Sequence, residues 1–127
     1  MDIAEKKFHK EERLCSQKTI NLLFENGNVL YTGVLKVVWK INNNNISEAK
    51  AAFSAPKKAF KLAVTRNLLK RRMREAYRNN KHLLYNHIFE KNISVSLFFI
   101  LRVDNIPSYK TIEKSVIEAL NKLIDLI

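Results

Sequence analysis

The middle of the chain, residues 56–78, reads PKKAFKLAVTRNLLKRRMREAYR. It holds nine Lys or Arg residues and one acidic residue, Glu75, and so carries eight of the eleven net positive charges of the 127-residue chain. A charge that served only solubility would be spread over the surface with both signs interspersed. The concentration of one sign in one segment indicates a polyanionic partner such as RNA or DNA.

The same stretch predicts a helix over residues 65–80, because it is rich in Leu, Lys, Arg, Met and Glu, which are good helix formers. At about 100° per residue, one side of this helix collects apolar residues and is expected to face a core. These residues are Leu69, Met73, Ala76 and Tyr77. A second side, spanning about 140° of arc, collects five cations, which are Arg66, Lys70, Arg71, Arg74 and Arg78.

The cationic side of this helix favours nucleic acid over the other partners of a basic helix. Like charges four residues apart destabilise a helix, so Arg66, Lys70 and Arg74 in succession call for an external polyanion. Guanidinium groups also match phosphate oxygens. A solvated surface helix and a helix that binds a membrane or calmodulin are the alternatives. A DNA-reading helix is disfavoured, because the middle of the segment lacks Asn or Gln to contact base edges.

Outward from this helix, the apolar patterns predict the remaining elements. They are a helix over residues 16–26, strands over 29–31, 35–41, 49–55 and 94–103, and a last helix that opens at Pro107 and Ser108. The strand over 94–103 is rich in β-branched and aromatic residues, which predicts burial on both faces. The order α-β-β-β-α-β-α predicts an α+β sandwich, one small sheet with helices packed on it, in a single domain over residues 1–127.

The composition argues against several classes of protein. No apolar stretch approaches the roughly 18 residues of a membrane span, and the charged N-terminus lacks the apolar segment of a signal peptide. Cys15 is the only cysteine, so no internal disulfide is expected. We therefore expect a cytoplasmic protein that does not bind membranes. The sequence also lacks a nucleophile with a nearby base, a metal-ligand set and a Gly-rich phosphate loop, so we expect no catalytic residue and no metal site.

Residues 63–75, AVTRNLLKRRMRE, resemble the signature of the ribonuclease P protein family, whose core reads roughly A-V-x-R-N-x-x-K-R-x-x-R-E. The start of the chain is also similar to the family's R-L…F-x-x-G opening, with Arg13 and Leu14 followed by Phe24 and Gly27. The sequence departs from the family at three places. Phe60, Lys61 and Leu62 stand where a glycine usually precedes A-V, Leu68 replaces an arginine, and Ile20 replaces an aromatic residue found in many members.

The resemblance implies the protein subunit of a ribonucleoprotein endonuclease that removes the 5′ leader from precursor tRNA. Its partners would be the ribonuclease P RNA subunit, as a heterodimer of one RNA and one protein, and precursor tRNA. The RNA subunit would carry the active site and bind the magnesium ions, so this chain would be an accessory subunit without catalytic side chains. The alternative is a stand-alone RNA-binding or ribosomal protein. The family's fold also implies a left-handed β-α-β crossover around the basic helix, a rare arrangement.

The resemblance also implies two groups of site residues. The first group binds the RNA subunit and comprises Lys57, Lys58, Lys61, Arg66, Asn67, Lys70, Arg71, Arg74 and Arg78. The second lines a cleft between the first helix and the sheet, where aromatic side chains stack on the single-stranded leader. The candidates there are Phe24, Ile20 and Trp39, with Val38 as the alternative to Trp39 because a shift of one residue exchanges the faces of a strand. Ordinary core packing is the competing interpretation for Phe24 and Trp39.

Overall fold

A four-stranded sheet lies at the centre of the computed structural model, which describes residues 7–42 and 45–127. The strands are β1 (Asn28–Thr32), β2 (Leu35–Asn42), β3 (Glu48–Ser54) and β4 (Ser94–Leu101). The helices are α1 (Gln17–Asn26), α2 (Ala63–Asn80), α3 (His82–Lys91) and α4 (Tyr109–Leu126), and one 3₁₀ turn, Lys10–Glu12, precedes α1. Every element predicted from the sequence is present, and the α+β class is confirmed.

The strands follow the spatial order β1-β2-β4-β3. The pairs β1 with β2 and β2 with β4 are antiparallel, whereas β3 and β4 are parallel. Parallel neighbours need a crossover connection, and α2 and α3 supply it between β3 and β4. The expected β-α-β unit around the basic helix is therefore present, and its left-handed sense stays a prediction.

Side-chain caps explain where two of the helices begin. The hydroxyl of Ser16 accepts a hydrogen bond from the backbone N–H of Thr19 at 3.4 Å, which satisfies one of the free donors at the start of α1. The hydroxyl of Ser108 accepts from the N–H of Thr111 at 3.2 Å at the start of α4. The serines at positions 16 and 108 thus open these helices as the sequence predicts.

The helix α3 was not predicted, and it corrects the element order to α-β-β-β-α-α-β-α. A single residue, Lys81, separates α2 from α3 and itself has helical backbone angles (φ −61°, ψ −23°). The chain therefore bends between the two helices without Gly or Pro to mark the boundary. Leu84, Tyr85 and Ile88 form the buried side of α3, and their spacing was the available sign of this helix.

The prediction that β4 is buried on both faces is wrong. Its odd-numbered side chains, including Phe99, are buried under α2, α3 and α4 in the main core. On the opposite face Phe98 and Ile100 are only partly buried, because α1, with ten residues, covers only part of that side. The side of the sheet that α1 packs on is called the α1 face below. Its small apolar cluster contains Leu14, Leu23 and Val38, with Ile20, Ala52, Phe98 and Ile100 packed against it.

Candidate RNA-binding site

The buried side of α2 determines which of its side chains reach solvent. Leu69, Met73, Ala76 and Tyr77 are all fully buried in the main core, as the helical spacing predicts. Arg72 is also turned away from the cationic side, and its Nη1 donates to the carbonyl oxygen of Pro107 at 2.7 Å. This bond ties α2 to the segment that precedes α4. Helical spacing places the other cations that follow Arg66 on the outer side of the helix.

The outer side of α2 is a dense cationic surface. Lys70, Arg71 and Arg74 form no hydrogen bond or ion pair with the described residues, 7–42 and 45–127. Arg78 donates from Nη2 to Oε2 of Glu75 at 2.6 Å, a partly exposed ion pair. The hydrogen bond from Arg78 outweighs desolvation and, with the charges of Arg74 and Arg71, lowers the pKa of Glu75. The three cations without internal partners are therefore the groups of this helix available to an external anion.

Arg66 has a different role from the cations that follow it. Its Nη1 donates to the carbonyl oxygens of Phe60 at 2.9 Å and Lys61 at 2.8 Å. Leu62, which precedes α2, makes no side-chain cap. Arg66 thus folds the loop that enters α2 back onto the first turn of the helix, while the buried Phe60 anchors that loop in the core. One nitrogen of this guanidinium is already engaged inside the protein.

The loop between β3 and α2 places its cations next to this helix. Lys57, Lys58 and Lys61 are exposed, as is Asn67 on the first turns of α2. Lys58 and Arg102 line an open depression of about 680 Å³ between this loop and the segment that follows β4. All nine residues predicted to bind the RNA subunit thus lie on α2 or the loop before it, and none is fully buried.

On the α1 face, the structure decides between the two neighbouring candidates in β2. Val38 packs against Leu14 and Leu23 beneath α1 and is 2% exposed. Trp39 points to the opposite side of the sheet and is 8% exposed within the main core. The prediction that Trp39 lines the cleft beside α1 is therefore wrong, because successive side chains of a strand alternate between its faces. Val38, the alternative, forms the floor beneath α1.

The exposed aromatic pair beside α1 consists of Phe24 and Phe98. Phe24 projects from α1 and is 48% exposed, and its ring meets that of Phe98 edge to face with centroids 5.0 Å apart. Ile20, one turn earlier on α1, is partly buried against the same cluster. Phe98 was missed from the sequence, because only the register that pairs it with Val38 places it on the α1 face. Phe24 and Ile20 lie where the sequence predicted them.

Cations surround this aromatic pair on the α1 face. Lys36 and Lys40 alternate with buried residues of β2 and lie on the same side as Val38, and Lys50 of β3 lies opposite Ser96. Near the start of α1, Arg13 and Lys50 line a depression of about 260 Å³. None of these cations was predicted as a site residue, although the alternation of Lys36, Val38 and Lys40 was a sign of their shared face.

A second pair extends the α1 face toward the far end of the sheet. Tyr31 of β1 is exposed and lies opposite Lys36 in the sheet. The guanidinium carbon of Arg102 lies 4.8 Å from the centroid of the Tyr31 ring, within the range of a cation–π contact. The α1 face therefore carries a second exposed aromatic ring beside positive charge, in addition to the pair of Phe24 and Phe98.

Neither a metal-ligand cluster nor a membrane span is present in the described part of the chain. No three His, Cys, Asp or Glu side chains within residues 7–42 and 45–127 come together in an arrangement that could hold a metal ion. No helix in this part of the chain is long and apolar enough to cross a membrane.

Comparison with known proteins identifies the family. The family model described as Ribonuclease P matches residues 8–124. The ribonuclease P protein component of Porphyromonas gingivalis ATCC 33277 is 36% identical over 119 residues, which cover 90% of this chain and 84% of that protein. The corresponding component of Chlorobium phaeobacteroides is 28% identical over 118 residues, covering 84% of this chain and 81% of the relative.

Solved structures show the same fold. The ribonuclease P protein from Thermotoga maritima has a TM-score of 0.69 and 22% identity, and the match covers 87% of this chain and 96% of that one. The protein from Staphylococcus aureus has a TM-score of 0.69 and 21% identity, covering 88% and 94%. Because the family model spans nearly the whole chain and a relative more than 30% identical matches most of it, this chain belongs to the ribonuclease P protein family.

Proposed function

We propose that this chain binds the RNA subunit of ribonuclease P through the outer side of α2, and binds the 5′ leader of precursor tRNA on the α1 face. The observation that carries the proposal is the group of three cations on α2, Lys70, Arg71 and Arg74, which form no hydrogen bond or ion pair within the described part of the chain. The partly exposed aromatic pair of Phe24 and Phe98 lies on the other face of the sheet. Phosphates and single-stranded bases are the two chemical groups that such surfaces bind best. The RNA subunit of ribonuclease P would supply the phosphates, and the 5′ leader of precursor tRNA would supply the single-stranded bases.

Binding of the RNA subunit would depend on Lys70, Arg71 and Arg74, supported by Lys57, Lys58 and Lys61 in the adjacent loop. Each contact with a phosphate releases counterions, so the affinity should fall steeply as salt rises. Leu68 supplies no charge where the family has an arginine, and Arg66 is partly engaged with the loop carbonyls. The three central cations of α2 would therefore carry more of the binding than either end of the helix.

Binding of the leader would combine stacking with charge. Phe24 and Phe98 present ring surface to a base, which binds single strands with little sequence preference. Lys36, Lys40 and Lys50 lie on the same face and would contact the phosphates between the bases. Val38 and Ile20 would support the aromatic pair from beneath without reading base edges. A precursor tRNA with its leader should therefore bind more tightly than the mature tRNA, which lacks it.

Cleavage itself would belong to the RNA subunit, with this chain as its accessory. Magnesium ions bound mainly by that RNA supply the chemistry of phosphodiester hydrolysis. The outer side of α2 does not fit a magnesium site, because its cations repel a metal ion and its one carboxylate, that of Glu75, is paired with Arg78. This chain would instead hold the two RNAs in place, and its side chains would neutralise the phosphates brought together in the complex.

Reconstitution tests the proposal directly. The purified chain, mixed with a ribonuclease P RNA at low magnesium, should increase leader removal from precursor tRNA, whereas the chain alone should not cleave. A Lys70→Gln, Arg71→Gln, Arg74→Gln variant should bind the RNA subunit more weakly, with a log–log salt slope lower by about 2 to 3, or somewhat under one per lost contact. The slope distinguishes lost phosphate contacts from a general loss of folded protein.

A charge-matched variant controls for the change in net charge. Lys91, Lys110 and Lys114 are exposed, lie on α3 and α4, and are not among the residues proposed to bind RNA. Replacing all three by Gln removes the same charge and should leave the affinity nearly unchanged. Equal losses in the two triple variants, or magnesium-dependent cleavage by the RNA-free chain, would contradict the proposal.

A further inference from the structure

The segment before α1, residues 7–14, crosses from one face of the sheet to the other and is called the arm below. Its Phe8 packs in the main core, edge to face on Phe53 and Tyr77 with centroids 5.8 and 5.9 Å apart. Its Leu14 belongs to the cluster on the α1 face. Between them the arm runs along β3, which is the last strand in the order of the sheet, and the N–H of Leu14 donates to the carbonyl oxygen of Ala51 at 3.0 Å. The arm thus covers the free edge of β3.

A buried ion pair holds the arm to the junction of α2 and α3. The side chains of Glu12 in the arm and Lys81 at the junction are 1% and 3% exposed. Lys81 Nζ donates to Oε2 of Glu12 at 2.7 Å and to Oε1 at 2.9 Å, and the Tyr85 hydroxyl also donates to Oε2. The backbone N–H of His9 donates to Oε1 at 3.0 Å. Both carboxylate oxygens are therefore bonded, as a buried charge requires.

The same lysine also fixes the beginning of the arm. Lys81 Nζ donates to the backbone carbonyl of Lys7, so the arm is attached to one ammonium group at two points, residues 7 and 12. A buried ion pair contributes little net stability, because the cost of removing both charges from water offsets their attraction. It does enforce one geometry, since either charge left alone in the interior is strongly unfavourable. The effect of this pair is therefore to define where the arm lies.

The position of the arm determines where α1 begins. Only three residues separate Glu12 from Ser16, the N-cap of α1, and between them Leu14 is bonded to β3 and packed on Leu23 and Val38. The other end of α1 is held by close packing at Gly27, where a Cβ atom would lie 3.1 Å from the carbonyl oxygen of Trp39. Both ends of the helix that carries Phe24 are thus fixed against the sheet, the first through the arm.

We propose that Glu12, Lys81 and Tyr85 form a clamp that positions α1 over the sheet and thereby determines how well the α1 face accepts a single-stranded leader. The clamp lies on the side of the sheet opposite the leader and touches no RNA, so its members are positioning residues. This inference rests on the proposed function of the α1 face. It assigns a role in substrate preference to a buried cluster of charged and polar side chains that RNA contact does not explain.

The test compares precursor with mature tRNA in the holoenzyme reconstituted with ribonuclease P RNA. Glu12→Ala should lower the preference for precursor about tenfold, which corresponds to about 1.4 kcal/mol, because a displaced Phe24 loses its stacking. The affinity for the RNA subunit should stay within about twofold of the wild type, since Lys70, Arg71 and Arg74 keep their places. Hydrogen exchange should become faster in the amides of α1 and remain unchanged in α4.

A stability-matched variant separates positioning from general destabilisation. Leu123→Ala removes a fully buried side chain from α4, a helix outside the arm that packs mainly on α2, α3, β1 and β2. It should lower the melting temperature while it leaves the preference for precursor unchanged. If Glu12→Ala does not fold, Glu12→Gln keeps the size of the side chain and its hydrogen-bond acceptor, removes only the charge, and should lower the preference at least about threefold.

The outcomes distinguish the clamp from the proposed function beneath it. A lost preference in the folded Glu12 variant, together with an unchanged preference in Leu123→Ala, supports the clamp. A wild-type preference retained by the folded Glu12 variant overturns the clamp alone, and so does an equal loss in Leu123→Ala. If the wild-type holoenzyme itself showed no preference for precursor, the leader site would be overturned and the clamp with it.

Discussion

Phe98 and Phe99 are neighbours in β4, yet their environments are opposite. Phe99 is fully buried and packs on Phe53 and Tyr77, with ring centroids 5.4 and 5.6 Å away. Phe98 is partly exposed and packs edge to face on Phe24, which is itself half-exposed. Two identical side chains, one residue apart, therefore differ in burial because a strand presents them to different faces of the sheet.

The covered face and the α1 face differ in how many helices pack on them. Three helices cover the face of Phe99, whereas one helix of ten residues covers part of the face of Phe98. Side chains on the covered face pack closely against one another, and those on the α1 face retain free ring surface and lysine ammonium groups. The proposed function thus assigns stability and RNA binding to opposite sides of one sheet, so that substitutions on the two sides should have separable effects.

The largest effect is expected on the covered face. Phe99→Ala and Trp39→Ala should each lower the free energy of unfolding by about 3–5 kcal/mol, because each removes a large buried aromatic side chain. Urea denaturation measures this loss. Titrations of the folded protein should show that each substitution changes the affinity for precursor tRNA and the affinity for mature tRNA by the same factor. A Trp39→Ala protein with normal stability but no preference for precursor would show instead that Trp39 contacts the leader.

A smaller and different effect is expected on the α1 face. Phe98→Ala and Phe24→Ala each remove a ring that can stack on a base, which contributes about 1–3 kcal/mol per base in proteins that bind single strands. The preference for precursor over mature tRNA should therefore fall about tenfold, as measured by parallel titrations of the holoenzyme. The loss of stability should be smaller than that of Phe99→Ala. Equally weakened binding of precursor and mature tRNA would show instead that the two rings act through core packing.

The sequence predicts the side-chain arrangement of α2 far better than that of the α1 face. Helical periodicity depends only on local spacing, so the buried Leu69 and the cationic Arg74 could be assigned without any tertiary information. The face of Trp39 depends on the strand register, and a shift of one residue reverses it. Phe98 became a candidate only when pairing with Val38 placed it beside α1. Long-range pairing of strands therefore limited the prediction of this site.

The contact between Glu12 and Lys81 shows a second limit. The two residues are 69 positions apart, and nothing in either local sequence marks them as buried partners. Charged residues are rarely buried, so composition favours a surface position for both. The buried pair therefore arises from tertiary packing and could not be predicted from periodicity. The helix α3 was missed for a different reason, because Lys81 continues a helical backbone and no Gly or Pro marks the bend after α2.

Unfolding at acid pH should test whether the ionised carboxylate of Glu12, which holds the arm to the junction of α2 and α3, stabilises the fold. Burial raises the pKa of Glu12, but hydrogen bonds from Lys81, Tyr85 and the His9 backbone outweigh it, so the pKa lies below its usual 4.5. A lowered pKa in the folded state means that the ionised carboxylate stabilises the fold above about pH 4.5 and that this contribution is lost as pH falls through the lower, folded value. Urea denaturation between neutral and acid pH should show this loss, and Glu12→Gln should flatten the curve. An identical pH dependence in both proteins would show that ionisation of Glu12 does not contribute to the stability.

The smallest effect on stability is expected at the other acidic residue that pairs with a cation, Glu75 on the outer side of α2. Its ion pair with Arg78 is partly exposed, and such pairs contribute about 0–1 kcal/mol. Glu75→Gln should therefore leave the urea midpoint nearly unchanged, in contrast to substitution of the buried Glu12. It should instead raise the affinity for the RNA subunit, because it removes the one negative charge between Arg71, Arg74 and Arg78. The increase should shrink as salt rises, since screening weakens exposed charges most. A large loss of stability with no change in RNA affinity would show that Glu75 stabilises the fold. The separation between buried sides that stabilise the protein and open sides that bind RNA would then not apply to α2.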